Sequence, residues 1–172
     1  MEFYNLIAQR ESIRNFDQAR KVESEVLSRI LEAGRLAPSA VNFQPWQFWV
    51  ISSPEKLKQV RACYKLPWFQ DAPQVLIVVG DLNQAWVRKY DGYSSIETDL
   101  TIAMCHLILA AENEGVATCW IEAFQPDLLK EVLGLKENER VFAMTPLGYP
   151  KDGFTKKNNK QRKPLAEIVR FI

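Results

Sequence analysis

One histidine and three cysteines are the only imidazole and thiol groups in this 172-residue chain. Cys63, Cys105 and Cys119 are odd in number and widely spaced, with no Cys-x-x-Cys pair, which supports neither a structural zinc site nor a disulfide framework. They read as reduced thiols of a cytoplasmic protein. The seven glycines are scattered singly, so there is neither a Gly-x-Gly-x-x-Gly fingerprint nor a Walker loop, and a dedicated dinucleotide-binding domain is missing. Excess charge is lacking too. A formal net charge of +1 argues against nucleic acid or a membrane surface as the main partner. The longest apolar run, residues 102–111, is interrupted by His106 and falls far short of the roughly 20 residues of a membrane span. Glu2, Arg10, Glu11, Arg14 and Asp17 leave no apolar core for a signal peptide near the N-terminus.

What is present suits a globular protein. Hydrophobic residues make up 47% and charged residues 25%, and no repeat or low-complexity linker divides the chain, so residues 1–172 read as a single domain with a substantial core. Residues 3–9 read as a short helix delivering Arg10. Val26, Leu27, Ile30, Leu31 and Ala33 recur at helical spacing, predicting a helix from about Glu25 until Pro38 stops it. Gln47 to Ser52 reads as a strand, and Pro54 opens a helix to about Tyr64. The β-branched run Val75 to Val79 predicts a strand buried on both faces. Ser94 and Glu97 form a capping-box pattern at the head of a helix reaching about Asn113 and ended by Gly115. That helix is apolar nearly all round and should be buried centrally or in a subunit interface. A strand over Ala117–Ile121, a helix from Pro126, a strand over Arg140–Leu147 and a strand-like close over Pro164–Phe171 complete the reading. Intermixed strands and helices give an α/β or α+β sandwich.

Two segments carry chemistry. Arg10-Glu11-Ser12-Ile13-Arg14 sets two guanidinium groups around a hydroxyl, and Arg forks grip phosphate or carboxylate oxygens. Ala37-Pro38-Ser39-Ala40-Val41-Asn42-Phe43-Gln44-Pro45-Trp46 combines a small-residue turn that leaves backbone uncovered with the amides of Asn42 and Gln44. This set suits a flat heterocycle held by its edges with one face open. A phosphate-like group plus a flat ring suggests a mononucleotide. The same residues also suit a surface Arg cluster with a capping Ser and a helix stop followed by a turn.

Taken in order, Arg10-x-Ser12-x-Arg14, Ala37 to Trp46, Thr118-Cys119-Trp120-Ile121-Glu122-Ala123-Phe124, Pro146-Leu147-Gly148-Tyr149-Pro150 and Arg162-Lys163-Pro164-Leu165 resemble the nitroreductase family across nearly the whole chain. The resemblance implies an α+β fold, an α/β/α sandwich with a central mixed, mainly antiparallel sheet and helices on both faces. It also implies a C-terminal strand exchanged in a homodimer, with FMN at the subunit interface. The implied activity is an FMN-dependent oxidoreductase using NAD(P)H as co-substrate, by ping-pong hydride transfer to nitroaromatics, quinones or related small electron-poor acceptors. By the same resemblance Arg10 and Ser12 hold the phosphate and ribityl chain, Glu11 between them is counted with the cofactor-binding residues, and Arg14 lies near the pyrimidine side of the ring. Pro38, Ser39, Ala40 and Asn42 line the pocket from the second subunit. Ile121, Glu122 and Ala123 lie against the redox-active nitrogen, with the Glu122 backbone near the flavin N5. Lys160 and Arg162 complete the phosphate grip. No side chain is expected to be catalytic, since the hydride chemistry belongs to the cofactor.

Some residues stay open. Many relatives have Gly where this chain has Glu122, which reads equally as an exposed strand-end carboxylate or a substrate-facing one. His106 reads as a satisfied core or interface histidine. Trp68, Phe69 and Trp86 either pack in the core or wall the cavity. Lys156 to Lys163 alone would be a solvated basic loop. A specialised flavin enzyme with another donor, and a non-catalytic flavin-binding protein, remain as alternatives.

Overall fold

The chain is described by a computed structural model over residues 2–172. Its elements run α1 (Phe3–Gln9), α2 (Ser24–Arg35), a 3-10 turn (Ala40–Asn42), β1 (Trp46–Ile51), α3 (Pro54–Ala62) and α4 (Pro67–Gln70). They continue with β2 (Gln74–Asp81), α5 (Ile96–Asn113), α6 (Pro126–Leu133), β3 (Glu139–Leu147) and α7 (Leu165–Ile168). Local chemistry explains many boundaries. The Glu2 carboxylate accepts the amides of Tyr4 and Asn5 and so caps α1. Proline opens α3, α4 and α6, where its missing N–H costs nothing. Gly134, at φ 67°, closes α6 in the left-handed conformation.

The three strands form an antiparallel sheet in the order β1-β2-β3. Central β2 is buried from Gln74 to Gly80 because both its faces are covered. Leu76 and Val78 pack with Ile30 of α2 and Leu100, Met104 and Leu107 of α5. The alternate residues Val75, Ile77 and Val79 pack with Leu57 and Val60 of α3, Phe69 of α4 and Leu129 of α6. The period-2 alternation of one strand thus builds two cores, and the α/β/α sandwich follows. α5 lies centrally as expected, although Glu97, Thr98, Cys105 and Asn113 keep an exposed strip.

Three expectations need correction. Ala117–Ile121 is no continuous strand. It touches its neighbours only through single bridges, Ala117 to Gly148 and Ile121 to Met144, and between them the Cys119 amide donates to the Thr145 hydroxyl instead of a ladder carbonyl. The capping box at Ser94 does not form: Ser94 Oγ accepts the Ile96 amide at 3.4 Å, and Ser95 is the N-cap residue. The closing segment is the short helix α7 and not a strand, with Leu165 and Ile168 exposed. Within one chain its alternating pattern meets no sheet edge. His106 is half-buried with Nδ1 3.2 Å from the Ala33 carbonyl, between α5 and α2. Phe69 is a core residue, and Trp68 packs among Phe16, Tyr64 and Phe69.

Candidate functional site

α1 ends with the Arg10 amide on the Leu6 carbonyl, and the chain then runs extended. The Ile13 amide donates to the Thr118 carbonyl at 2.9 Å, pinning this run beside residues 117–121. Ile13 and Phe16 turn inward against Ala72 and Ala117. Alternation about the buried Ile13 sends its exposed neighbours Ser12 and Arg14 outward together.

That face opens on two adjoining clefts that share Ser12. One, of about 420 Å³, is lined by charged and polar groups including Glu11, Arg14, Asn15, Lys157 and Lys160. The other, of about 470 Å³, is walled by Ile7, Cys105, Ile108, Leu109 and Trp120, with Arg10 at its edge. Both volumes fall in the range of small-molecule sites. Arg14 also lies over the Trp68 ring, 5.8 Å from its centroid.

The C-terminal basic segment is laid across α1 by specific bonds. Lys156 pairs with the buried Glu112 and donates to the Gln9 carbonyl at 3.4 Å. The Lys157 amide donates to the Glu11 carboxylate at 3.1 Å. Lys160 Nζ donates to the carbonyls of Arg10 at 2.7 Å and Ile7 at 3.2 Å. Among the described residues, Arg10, Arg14, Lys160 and Arg162 form no ion pair with a carboxylate. Desolvation, followed by the neighbouring charges of Arg10 and Arg162, holds the Lys160 ammonium below the usual lysine range. Glu11 and Glu112 act on Lys160 in the opposite sense but are bonded to Lys157 and Lys156, so three cations without an ion pair of their own lie together and suit an anion.

At the inner edge, burial pushes the Cys119 thiol up, while Arg14, the Ser12 hydroxyl and Arg10 act against it. The Trp120 indole donates to the Glu122 carboxylate at 2.5 Å, which ties Glu122 to the cleft wall. Ile121 exchanges both backbone hydrogen bonds with Met144. Among the described residues, the amides of Glu122 and Ala123, two exposed residues, meet no acceptor.

These residues match proteins of one group. The family model described as Nitroreductase family fits residues 7–66 and 54–149. The chain belongs to the nitroreductase family. A protein of Archaeoglobus fulgidus named "Putative NADH dehydrogenase/NAD(P)H nitroreductase" is 33% identical over 156 residues, covering 88% of this chain and 87% of its own. The crystal structure of a nitroreductase family protein from Clostridium difficile 630 superposes with a TM-score of 0.91 at 32% identity, covering 99% of this chain and 98% of that one. An FMN-dependent nitroreductase from Clostridium difficile R20291 gives 0.80 at 26% identity, with 98% of each chain covered. An iodotyrosine deiodinase of Daphnia pulex is 27% identical over 204 residues, 98% of this chain and 65% of its own. The nitroreductase fold expected from the motifs is the fold observed.

The structure gathers Arg10, Glu11, Ser12, Arg14 and Lys160 around the two clefts; Arg162, Ile121, Glu122 and Ala123 line neither, Arg162 being near enough for its charge to act on Lys160 and Glu122 being bonded to Trp120 of the cleft wall. Glu11 differs in kind from the others: its carboxylate is engaged in anchoring Lys157. Pro38, Ser39, Ala40 and Asn42 line neither cleft. The Ala40 amide is bound to Asp99 in the first turn of α5, whereas Cys105 and Leu109 of the cleft lie further along that helix. At 1.5 Å rise per residue this is roughly 9 to 15 Å of axis. Sequence reasoning missed Cys105, Leu109, Cys119, Trp120 and Asp99. For Trp120, the preceding position in the same motif was the available signal. For Asp99 it was a carboxylate inside an otherwise apolar helix.

Proposed function

We propose that this chain is an FMN-dependent oxidoreductase, acting in the cytoplasm as a homodimer, that takes electrons from NAD(P)H and passes them to a small electron-poor acceptor such as a quinone or nitroaromatic. The observation that carries this reading is the cluster of Arg10, Lys160 and Arg162, which forms no ion pair with a carboxylate among the described residues and stands beside an apolar cleft in a nitroreductase-family chain. The residues fit FMN. Arg10, Ser12, Lys160 and Arg162 would hold the phosphate and ribityl chain, and the amides of Glu122 and Ala123 would face the ring edge. Arg14 would place positive charge near the ring, where charge accumulates on reduction. When bound, FMN supplies the electron-accepting and electron-donating chemistry. The chain's own part is to orient the ring, neutralise the phosphate and leave one face open to donor and acceptor in turn.

The dimer completes the pocket in this reading. Pro38, Ser39, Ala40 and Asn42 lie away from their own chain's cleft and would line the partner's. Exposed Phe3, Tyr4 and Ile7 on α1, and exposed Leu165, Ile168 and Phe171 in the tail, supply apolar surface for that contact. The deiodinase relatives favour one variation, a specialised reductase of halogenated phenols at the same site.

Separating the two half-reactions tests the proposal. FMN-loaded protein is reduced anaerobically with NADPH or NADH, freed of nicotinamide by gel filtration, and then mixed with a quinone, a nitroaromatic or an iodotyrosine. Stoichiometric reoxidation by the quinone or nitroaromatic supports the leading reading, and reoxidation by iodotyrosine alone supports the variation. Loaded protein that accepts electrons from neither nicotinamide would refute NAD(P)H as donor.

A further inference from the structure

Asp99 is a buried carboxylate that the flavin reading leaves unused. It lies in the first turn of α5, only 1% exposed, and forms no ion pair among the described residues. One oxygen accepts the Ala40 amide at 2.9 Å and the other accepts the Ser95 hydroxyl at 2.8 Å. The helix N-terminus helps it, yet a carboxylate inside a core is tolerated only for the bonds it makes. Outside its own helix and N-cap, the bond it makes is to Ala40.

Ala40 opens a segment of unusual backbone. Val41, Asn42 and Gln44 adopt φ values of 46°, 61° and 51°, all left-handed. For a β-branched residue such as Val41 this is an outlier that persists only where the surroundings over-determine it. Packing does not supply that constraint, because Val41 and Phe43 are 62% and 53% exposed. Hydrogen bonds do. Ser39 Oγ accepts the Gln44 amide at 2.9 Å and closes the loop upon itself, and Asp99 ties the closed loop to α5.

We infer that Asp99 is a positioning residue: through the Ala40 amide it holds the Ser39–Gln44 loop in the left-handed shape in which that loop completes the partner subunit's flavin pocket. The inference rests on the flavin reading. An Asn at this position keeps an oxygen for the Ala40 amide and gains an NH₂ for the Ser95 oxygen, whereas Ala keeps neither.

The test combines FMN titration with hydrogen exchange of the Ala40 amide. Asp99→Ala is expected to lose FMN affinity by about tenfold or more, the scale of a hydrogen bond to a charged group, and to speed Ala40 exchange. Asp99→Asn is expected to stay within about threefold of wild type on both readouts. Should Asp99→Ala fail to fold, Ser95→Ala, which removes the hydroxyl orienting the carboxylate, is expected to shift both readouts in the same direction to a lesser degree. FMN affinity equal to wild type in Asp99→Ala, or in Ser95→Ala where that variant must serve, overturns the inference. Loss in Asp99→Asn as deep as in Asp99→Ala overturns it as well. Wild-type protein that takes up no FMN removes the flavin reading and this inference together, whereas wild-type uptake with an indifferent Asp99→Ala removes the inference alone.

Discussion

Replacing Lys160 by Met keeps an unbranched side chain up to the ε carbon and removes the ammonium, so it isolates what that charge contributes to anion binding. In the free protein two effects oppose. The variant loses the bonds to the Ile7 and Arg10 carbonyls, but it is relieved of repulsion from Arg10 and Arg162. The melting temperature without ligand should therefore move little, by the equivalent of about 1 kcal/mol or less. With FMN bound, the missing charge-assisted bond to phosphate is worth about 2 kcal/mol, or roughly 30-fold in Kd. At an FMN concentration about 100 times the wild-type Kd, ligand linkage stabilises the wild type by about 2.7 kcal/mol and the variant by about 0.9 kcal/mol. For a chain of this size the difference of about 1.8 kcal/mol corresponds to about 4 to 7 °C. Differential scanning fluorimetry with and without FMN reads it directly. An FMN-induced rise in Lys160→Met equal to that of the wild type would refute the reasoning, and would move the phosphate away from Lys160.

The same lysine predicts a pH dependence. Its folded-state pKa is lowered, so raising the pH through that value discharges it, and FMN affinity should fall before the usual lysine range is reached. In the free protein the sign reverses: there the unfolded chain binds more protons, so stability should rise over the same window, and Lys160→Met should flatten both profiles. Gly148→Ala would drive a Cβ to 2.7 Å from Pro73 Cδ, an atom of a rigid ring, and should cost about 1 to 3 kcal/mol in urea unfolding. An unchanged midpoint would mean that the chain relaxes there more than its packing suggests. Mixing inactive Arg10→Ala chains with inactive chains carrying Ser39→Ala and Asn42→Ala should restore flavin binding to one site per mixed dimer. No recovery after subunit exchange would count against a pocket built from two chains.

Much of the fold was legible because its signals are local. Val75 to Val79 announced a strand covered on both sides, and Pro54 and Pro126 marked helix starts that tertiary packing did not override. Ala117–Ile121 misled because its residues are buried like a strand's while one ladder bond is diverted to the Thr145 side chain. The tail misled for a different reason. Its alternation presumes a neighbouring sheet edge, and in a single chain the segment turns into α7. For the site, the grouping of Arg10, Ser12 and Arg14 could be read from their types and spacing, and the burial of Ile13 shows that Ser12 and Arg14 share the outward face. Lys160 was harder, because 150 residues separate it from the Arg10 carbonyl it binds. Asp99 and the left-handed Val41 were out of reach, for neither residue type signals a backbone clamp by itself.

The most direct measurement is the visible absorption spectrum of the purified protein, with FMN added if none is bound, followed by anaerobic addition of NADPH and then NADH. The account predicts a two-band flavin spectrum in the protein fraction that bleaches with at least one of the two donors. A protein fraction without flavin after incubation with excess FMN would contradict it, since the cations of Arg10, Lys160 and Arg162 would then hold some other anion.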